Sequence, residues 1–234
     1  FDLYFVWNDF ILNQFQKFWH DQKIIKTGYR RIDEFINLKV DQNLIINKIN
    51  KKYLINIKLK KNILITLPSF DSSINVFKKQ YKNSNEIINF FDKYLYLISQ
   101  NFNILIRPKR IITNDFKKYI QSINKSINFC DDFTISTPEL ILWSDIVISS
   151  NFSGVITESA LLKKKVITFD YFGYLNDLKN EYGSDFISKS SSDLNSILFK
   201  FYKDEQIDVN WEKIFNDFGY LNPKSINFLI DDSL

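Results

Sequence analysis

WSDIVISSNFSGVITESALLKKKVITFD, residues 143–170, sets two short β-branched runs on either side of one helical segment. DIVISS (145–150) and KVITFDY (165–171) have the length and near-continuous apolar character of strands buried on both faces. Between them, SGVITESALLKK (153–164) reads as a helix that begins within a few residues of the first strand. Strand, tight turn, helix and strand form one unit of a parallel sheet, because parallel neighbours need a crossover connection.

The alternation continues in both directions. Upstream, NILITLP (62–68), FNILIRP (102–108) and SINFCD (126–131) read as strands, the first ended by Pro68. Residues 84–100 place Ile87, Ile88, Phe91, Leu95 and Ile98 at helical spacing, and residues 114–125 place Phe116, Ile120 and Ile123 on one helical face. TPELILWS (137–144) opens a helix with Thr137 as N-cap and Pro138 at the first helical position. Downstream, residues 185–202 read as a strand and a Ser/Asp-capped helix, and one or two terminal helices follow from Trp211. The pattern predicts an α/β fold with a Rossmann-like, doubly wound parallel sheet over residues 61–234. Ahead of it, LYFVWN (3–8) and KIIKTG (23–28) read as strands around an amphipathic stretch ending near Trp19, and residues 37–61 read as an irregular Asn- and Lys-rich connector. No internal repeat is evident.

With 234 residues, 45% of them hydrophobic, the chain is long enough to bury a full domain core and part of another. Its net charge of +4 is scattered in short Lys pairs and a triplet (Lys51, Lys52, Lys60, Lys61, Lys163 to Lys165) rather than a basic arm, which argues against nucleic acid as a partner. The single cysteine, Cys130, excludes an internal disulfide and a Cys-based zinc site; its alternating surroundings predict a buried strand position. The single histidine, His20, excludes a His-rich metal site and reads as a structural or surface residue. No apolar run approaches a membrane span and no signal peptide is visible. The chain opens at Phe1 and contains no Met, so it reads as a cytoplasmic fragment that lacks its true N-terminus.

Ligands of an open parallel sheet bind outside the C-terminal ends of its strands. The segments to weigh are therefore Pro68-Ser69-Phe70, Arg107-Pro108-Lys109, Ser149 to Gly154, and Asp170-Tyr171. At the third, the start of a helix offers unpaired amides and a partial positive charge to a phosphate. Gly154 carries no Cβ to hinder the approach, and Ser153 adds a hydroxyl donor. Glu158, four residues on, stands on the same helix face, where a carboxylate suits the paired hydroxyls of a ribose. Taken singly, the three are equally an N-cap, a turn residue and a solvated charge; the ligand reading rests on their conjunction at a strand end. Arg107 and Lys109 are either solvated turn charges or a cationic clamp for a diphosphate. Asp170 either binds a sugar hydroxyl or begins a loop, and Ser69 is weaker still. Phe90, Phe91 and Tyr94 fall at helical spacing and read as core.

With these residues as its centre, the order of elements resembles the C-terminal domain of GT-B-fold transferases. The nearest groups are the CDP-glycerol glycerophosphotransferases and the surface (capsular) polysaccharide biosynthesis proteins. The matching residues are Asp145, Ser153, Gly154, Glu158, Lys163 to Lys165 and Asp170. The Ser-Gly followed by Glu also resembles the nucleotide site of non-hydrolysing UDP-N-acetylglucosamine 2-epimerases. TGYRRID (27–33) resembles the segment that ends the N-terminal domain: Gly28, Tyr29, Arg31 and Asp33 fit, while Arg30 stands where the pattern has Pro. LIRPK resembles a strand ending in Arg-Pro-His-Pro, with Lys109 in place of the His.

The resemblance divides the chain into the end of an N-terminal GT-B domain (1–36, with Arg31 and Asp33 at the interdomain boundary), a linker (37–60) and a nucleotide-sugar-binding domain (61–234). It implies a transferase that takes a nucleotide-sugar or CDP-polyol donor and passes its group to a glycan or lipid-linked acceptor at the inner face of the cytoplasmic membrane. In that reading Ser153, Gly154 and the following amides hold the diphosphate, Glu158 the ribose, and Arg107 with Lys109 the negative charge. No metal or other cofactor is implied. The alternatives are a nucleotide-sugar 2-epimerase of the same fold and a non-catalytic sugar-nucleotide-binding domain.

Overall fold

The structure is a computed structural model that describes residues 3–6, 8–18, 23–27, 42–55, 61–67, 101–109, 114–123, 127–131, 133–150, 153–170, 175 and 177–219. Two parallel sheets form. The smaller joins β1 (Leu3–Val6) to β2 (Lys23–Lys26) through helix α1 (Asp9–Phe18), with Leu3 opposite Lys23 and Val6 opposite Lys26. This is the strand–helix–strand unit read from the N-terminal residues.

The larger sheet has six strands: β3 (Asn62–Leu67), β4 (Asn103–Pro108), β5 (Asn128–Phe129), β6 (Ile146–Ser150), β7 (Lys165–Phe169) and β8 (Ile187–Ser188). Their order is β5-β4-β3-β6-β7-β8 and every neighbouring pair is parallel. This is the doubly wound order, in which the chain builds outward on one side of β3 and then returns to build outward on the other. The reversal falls between β3 and β6, so the crevice of the fold lies where β6 leaves the sheet.

Residue alternation sorts the strands into two cores. On one face Leu64, Leu105, Val147, Val166 and Ile187 pack beneath helices α2 (Gln42–Lys52), α4 (Thr137–Trp143), α5 (Gly154–Leu161), α6 (Asp177–Tyr182) and α8 (Trp211–Phe218). On the other, Ile63, Ile65, Ile104, Ile106, Ile146, Ile148 and Ile167 meet Leu194, Ile197, Leu198 and Phe201 of α7 (Ser191–Tyr202). Helix α3 (Asn114–Ile123) links β4 to β5. The runs of Ile, Leu and Val are continuous because both faces are covered.

Two local readings change. Residues 42–52, taken as part of an irregular connector, form α2, whose Ile45 and Ile49 are buried in the core against α4. Four residues separate those isoleucines, one helical turn, but the Asn and Lys around them mask so narrow an apolar stripe. At α4 the N-cap is Ser136 rather than Thr137, which is the first helical residue. The Ser136 hydroxyl accepts from the Glu139 amide at 3.3 Å while Glu139 accepts from the Ser136 amide at 2.6 Å. This reciprocal capping box satisfies two amides that a Thr137 cap would leave open. Cys130 is buried, as its surroundings predict. The helix read over residues 84–100, and the side chains of Phe116, Ile120 and Ile123, lie outside the described residues.

Two outcomes follow from this packing. Ile49→Ala is expected to cost about 2–5 kcal/mol in urea unfolding. Leu44→Ala, on the exposed side of the same helix, should stay within about 0.5 kcal/mol; equal effects would contradict the placement of α2. Burial raises the Glu139 carboxyl, but its bonds with the Ser136 amide and hydroxyl and with Lys48 outweigh that and hold it below the ordinary glutamate value. A depressed folded value contributes stability above the unfolded pKa and loses it as pH falls through the folded one. The melting-temperature difference between the native chain and Glu139→Gln should therefore be present at neutral pH and shrink in acid. A difference that is flat with pH would refute the ionic contribution.

Candidate functional site

The C-terminal edge of the larger sheet is where its apolar core ends. Arg107 of β4 pairs with Thr66 of β3, Thr66 with Ser149 of β6, and Ser149 with Thr168 of β7. Residues in register share a sheet face, so these four form one polar row on the face that carries α5. Two residues earlier in each strand the same face is apolar, with Leu105, Leu64, Val147 and Val166. Thr66 and Thr168 escaped the sequence reading, which reached only Ser149 as the start of a strand-end segment, though the signal was there: NILIT, DIVIS and KVIT each close an apolar run on a hydroxyl. The buried Thr168 hydroxyl has no hydrogen-bond partner among the described residues.

Helix α5 starts directly above this row. Ser153 is its N-cap, with extended φ −144° and ψ 165°, and its hydroxyl accepts from the Val155 amide at 3.4 Å. The same oxygen lies 2.9 Å from the Ser149 hydroxyl, so the helix start is tied to the strand that precedes it. With Ser149 as donor, Ser153 keeps its own proton for an outside acceptor. Gly154 is the first helical residue. A Cβ built there meets no heavy atom within 4 Å among the described residues, and its φ is not in the left-handed region. Among the described residues, neither packing nor backbone conformation calls for glycine at this position. Glu158, one turn further along, is 6% exposed.

The other sequence candidates are placed differently. Arg107, 8% exposed, donates from an η nitrogen to the Cys130 carbonyl at 2.6 Å, and its guanidinium stacks 4.3 Å from the centroid of the Phe133 ring. Its head group is therefore turned to the β5 side of the edge, away from Ser149, whose strand already lies about two strand spacings (~10 Å) from β4. Lys109 is exposed one residue beyond β4. Asp170 is 1% exposed; its amide donates to the Ser188 carbonyl and its carboxylate accepts from the Leu175 amide, both at 2.8 Å. One carboxylate oxygen thus holds the chain where it leaves β7. Arg31, Asp33, Gly28, Tyr29, His20, Ser69 and Tyr171 lie outside the described residues.

At the far end of α5, Lys163 takes φ +53°, a left-handed conformation that a side chain disfavours. Lys164 donates to the Ser144 carbonyl at 2.9 Å; burial pulls its ammonium below the ordinary lysine value, against the attraction of Asp145. These lysines close the return into β7 at the edge opposite the polar row. Among the described residues no group of three or more His, Cys, Asp or Glu side chains is placed to hold a metal ion, and no helix is long and apolar enough to cross a membrane.

The fold is GT-B-like, as the comparison with solved structures shows. Among solved structures, the chain is similar to the wall teichoic acid polymerase TagF, with a TM-score of 0.58 at 18% identity, over 100% of this chain and 57% of that one. A substituted form of TagF matches with a TM-score of 0.58 at 20% identity over the same shares. Another, soaked with CDPG, matches with a TM-score of 0.55 at 16% identity, over 100% of this chain and 56% of that one. The chain thus spans little more than half the length of the TagF chains it matches. No protein-family profile matches the sequence, and no curated protein does.

Asp170 gives a direct test of the edge. Asp170→Ala leaves the Leu175 amide without its acceptor and is expected to cost about 1–3 kcal/mol in denaturant unfolding. A change under ~0.5 kcal/mol would show that the carboxylate does not hold the loop.

Proposed function

We propose that the chain is the donor-binding half of a GT-B-type glycosyl- or polyol-phosphate transferase of surface polysaccharide synthesis. The observation that carries this reading is the start of α5 at the chain reversal of a doubly wound sheet, where Gly154 stands above a buried row of hydroxyls with no described atom within 4 Å of a Cβ built on it. A helix start in that place presents free amides and a partial positive charge to an anion, in the crevice where such sheets take their ligands. The likeness in fold to a teichoic acid polymerase supports it.

In this reading the diphosphate of a nucleotide-activated sugar or polyol sits on the amides after Gly154, with the Ser153 hydroxyl as an added donor. Glu158 takes the ribose hydroxyls. Lys109 supplies positive charge as a point cation, while Arg107 is held on the β5 side by the Cys130 carbonyl and the Phe133 ring. Asp170 offers its second oxygen to the transferred group. The helix start and Lys109 stabilise the leaving diphosphate without a metal. Arg31 and Asp33 belong to the boundary with the acceptor side, where a glycan or lipid-linked acceptor is received at the cytoplasmic face of the membrane.

Gly154 separates binding from folding. Gly154→Ala should fold with native or slightly higher stability, by up to about 1 kcal/mol, because it restricts the unfolded chain at a site with room for a methyl. Gly154→Val should also fold, yet lose at least tenfold in affinity for CDP or UDP by calorimetry. Glu158→Ala should weaken the same binding. Native affinity in both Gly154→Val and Glu158→Ala would overturn the site. A thermal-shift screen of CDP, UDP, GDP and CMP sugars identifies the base, since bound ligand raises the melting temperature by mass action.

A further inference from the structure

Asn8 joins the small strand–helix–strand unit to helix α5. It is 1% exposed and uses both ends of its amide. Its oxygen accepts from the Ile11 amide at 2.9 Å, capping α1, while its nitrogen donates to the Thr157 hydroxyl at 3.1 Å, across 149 residues of sequence. Thr157 is 4% exposed and sits one turn beyond Ser153, next to Glu158. Capping alone would need only an oxygen, which Ser or Asp provides. Asparagine adds a donor, and here the donor reaches α5.

The surroundings reinforce this point without duplicating it. The Phe10 ring packs 4.9 Å from Phe218 of α8. At the end of α8, Gly219 approaches so closely that a Cβ would lie 3.1 Å from the Ala160 carbonyl of α5. Asp9 is paired with Lys26 of β2 at 2.7 Å. Apolar surfaces of this kind tolerate sliding and rotation. A buried hydrogen bond between two nearly inaccessible groups does not, since breaking it strands both.

We propose that Asn8 and Thr157 are positioning residues that fix the orientation of the β1–α1–β2 unit on α5, so that this orientation and anion binding at the first turn of α5 are coupled. The geometry stands by itself; the coupling rests on the donor reading above. Movement of Thr157 necessarily carries Ser153 and Glu158, because all three belong to one rigid turn-and-a-half of helix. By linkage, a diphosphate that favours one placement of α5 then favours one placement of the unit.

The test uses spin labels at Lys23→Cys on β2 and Ser196→Cys on α7, both exposed, with the buried Cys130 replaced by Ala. Electron–electron distance measurement should give a narrow distribution in the otherwise native chain. Thr157→Val should broaden or shift it, as should Asn8→Ser, which retains a capping oxygen but cannot reach Thr157. Thr157→Ser, which keeps the hydroxyl, should restore the native distribution, and the double variant should be no broader than either single one. Native distributions in both Thr157→Val and Asn8→Ser would overturn the joint. In parallel, CDP and UDP affinities by calorimetry should fall at least threefold in Thr157→Val and recover in Thr157→Ser; equal affinities in the two would overturn the coupling. If the native chain binds neither nucleotide while the variants still broaden, the joint stands and the donor reading falls.

Discussion

A parallel strand that turns into a helix within three residues leaves the first helical amides without intrahelical acceptors, and the rest of this molecule is arranged around one such place. β6 ends at Ser150 and α5 begins at Gly154. The Ser149–Ser153 hydroxyl pair pins the helix start over the strand, at the point of chain reversal between β3 and β6. Helix α5 can hold that position because its own sides are apolar and buried, through Ile156, Ala160 and Leu161, so the core supplies the rigidity that the open end requires.

The polar row beneath the helix start has a cost, since the Thr168 hydroxyl is buried without a partner among the described residues. Thr66, Ser149 and Thr168 stand at the last full rung of the parallel ladder, where the covering helices begin to give way to loops. A hydroxyl at this rung stays close to the space available to a bound group, whereas two residues deeper it would be enclosed by Leu64, Val147 and Val166. Arg107, on the same rung, shows the opposite use of a polar side chain. It is spent on the Cys130 carbonyl and the Phe133 ring, and so closes the short β5 edge of the sheet, where only two residues pair.

Joining the two sheets raises a different problem, because an apolar contact between them defines proximity but not angle. The amide of Asn8 supplies a direction, from the cap of α1 to the second turn of α5. The helix that starts at the polar edge is thus also the one that meets the β1–α1–β2 unit, so a single rigid element carries both contacts.

Much of this was legible in the chain itself. Periodicity alone separated strands from helices, because strands covered on both faces must be apolar at every position and helices only along a stripe. The helix start at Ser153-Gly154 was visible for the same reason, as a break between two such patterns. Helix α2 was not, since its apolar face of Ile45, Ile46 and Ile49 is interrupted by Asn and Lys and gains meaning only from α4 lying against it. Nor could sequence distinguish Ser136 from Thr137 as the cap of α4, a choice made by the reach of Glu139. The partners of Arg107 and Asn8 were decided by tertiary structure alone, Arg107 toward Cys130 and Asn8 toward Thr157, whereas Asp170 turns to Leu175 only five residues on. A hydrogen-bonding group advertises what it can do in sequence, but which partner it finds depends on residues brought within 3 Å by the packing of elements far apart along the chain.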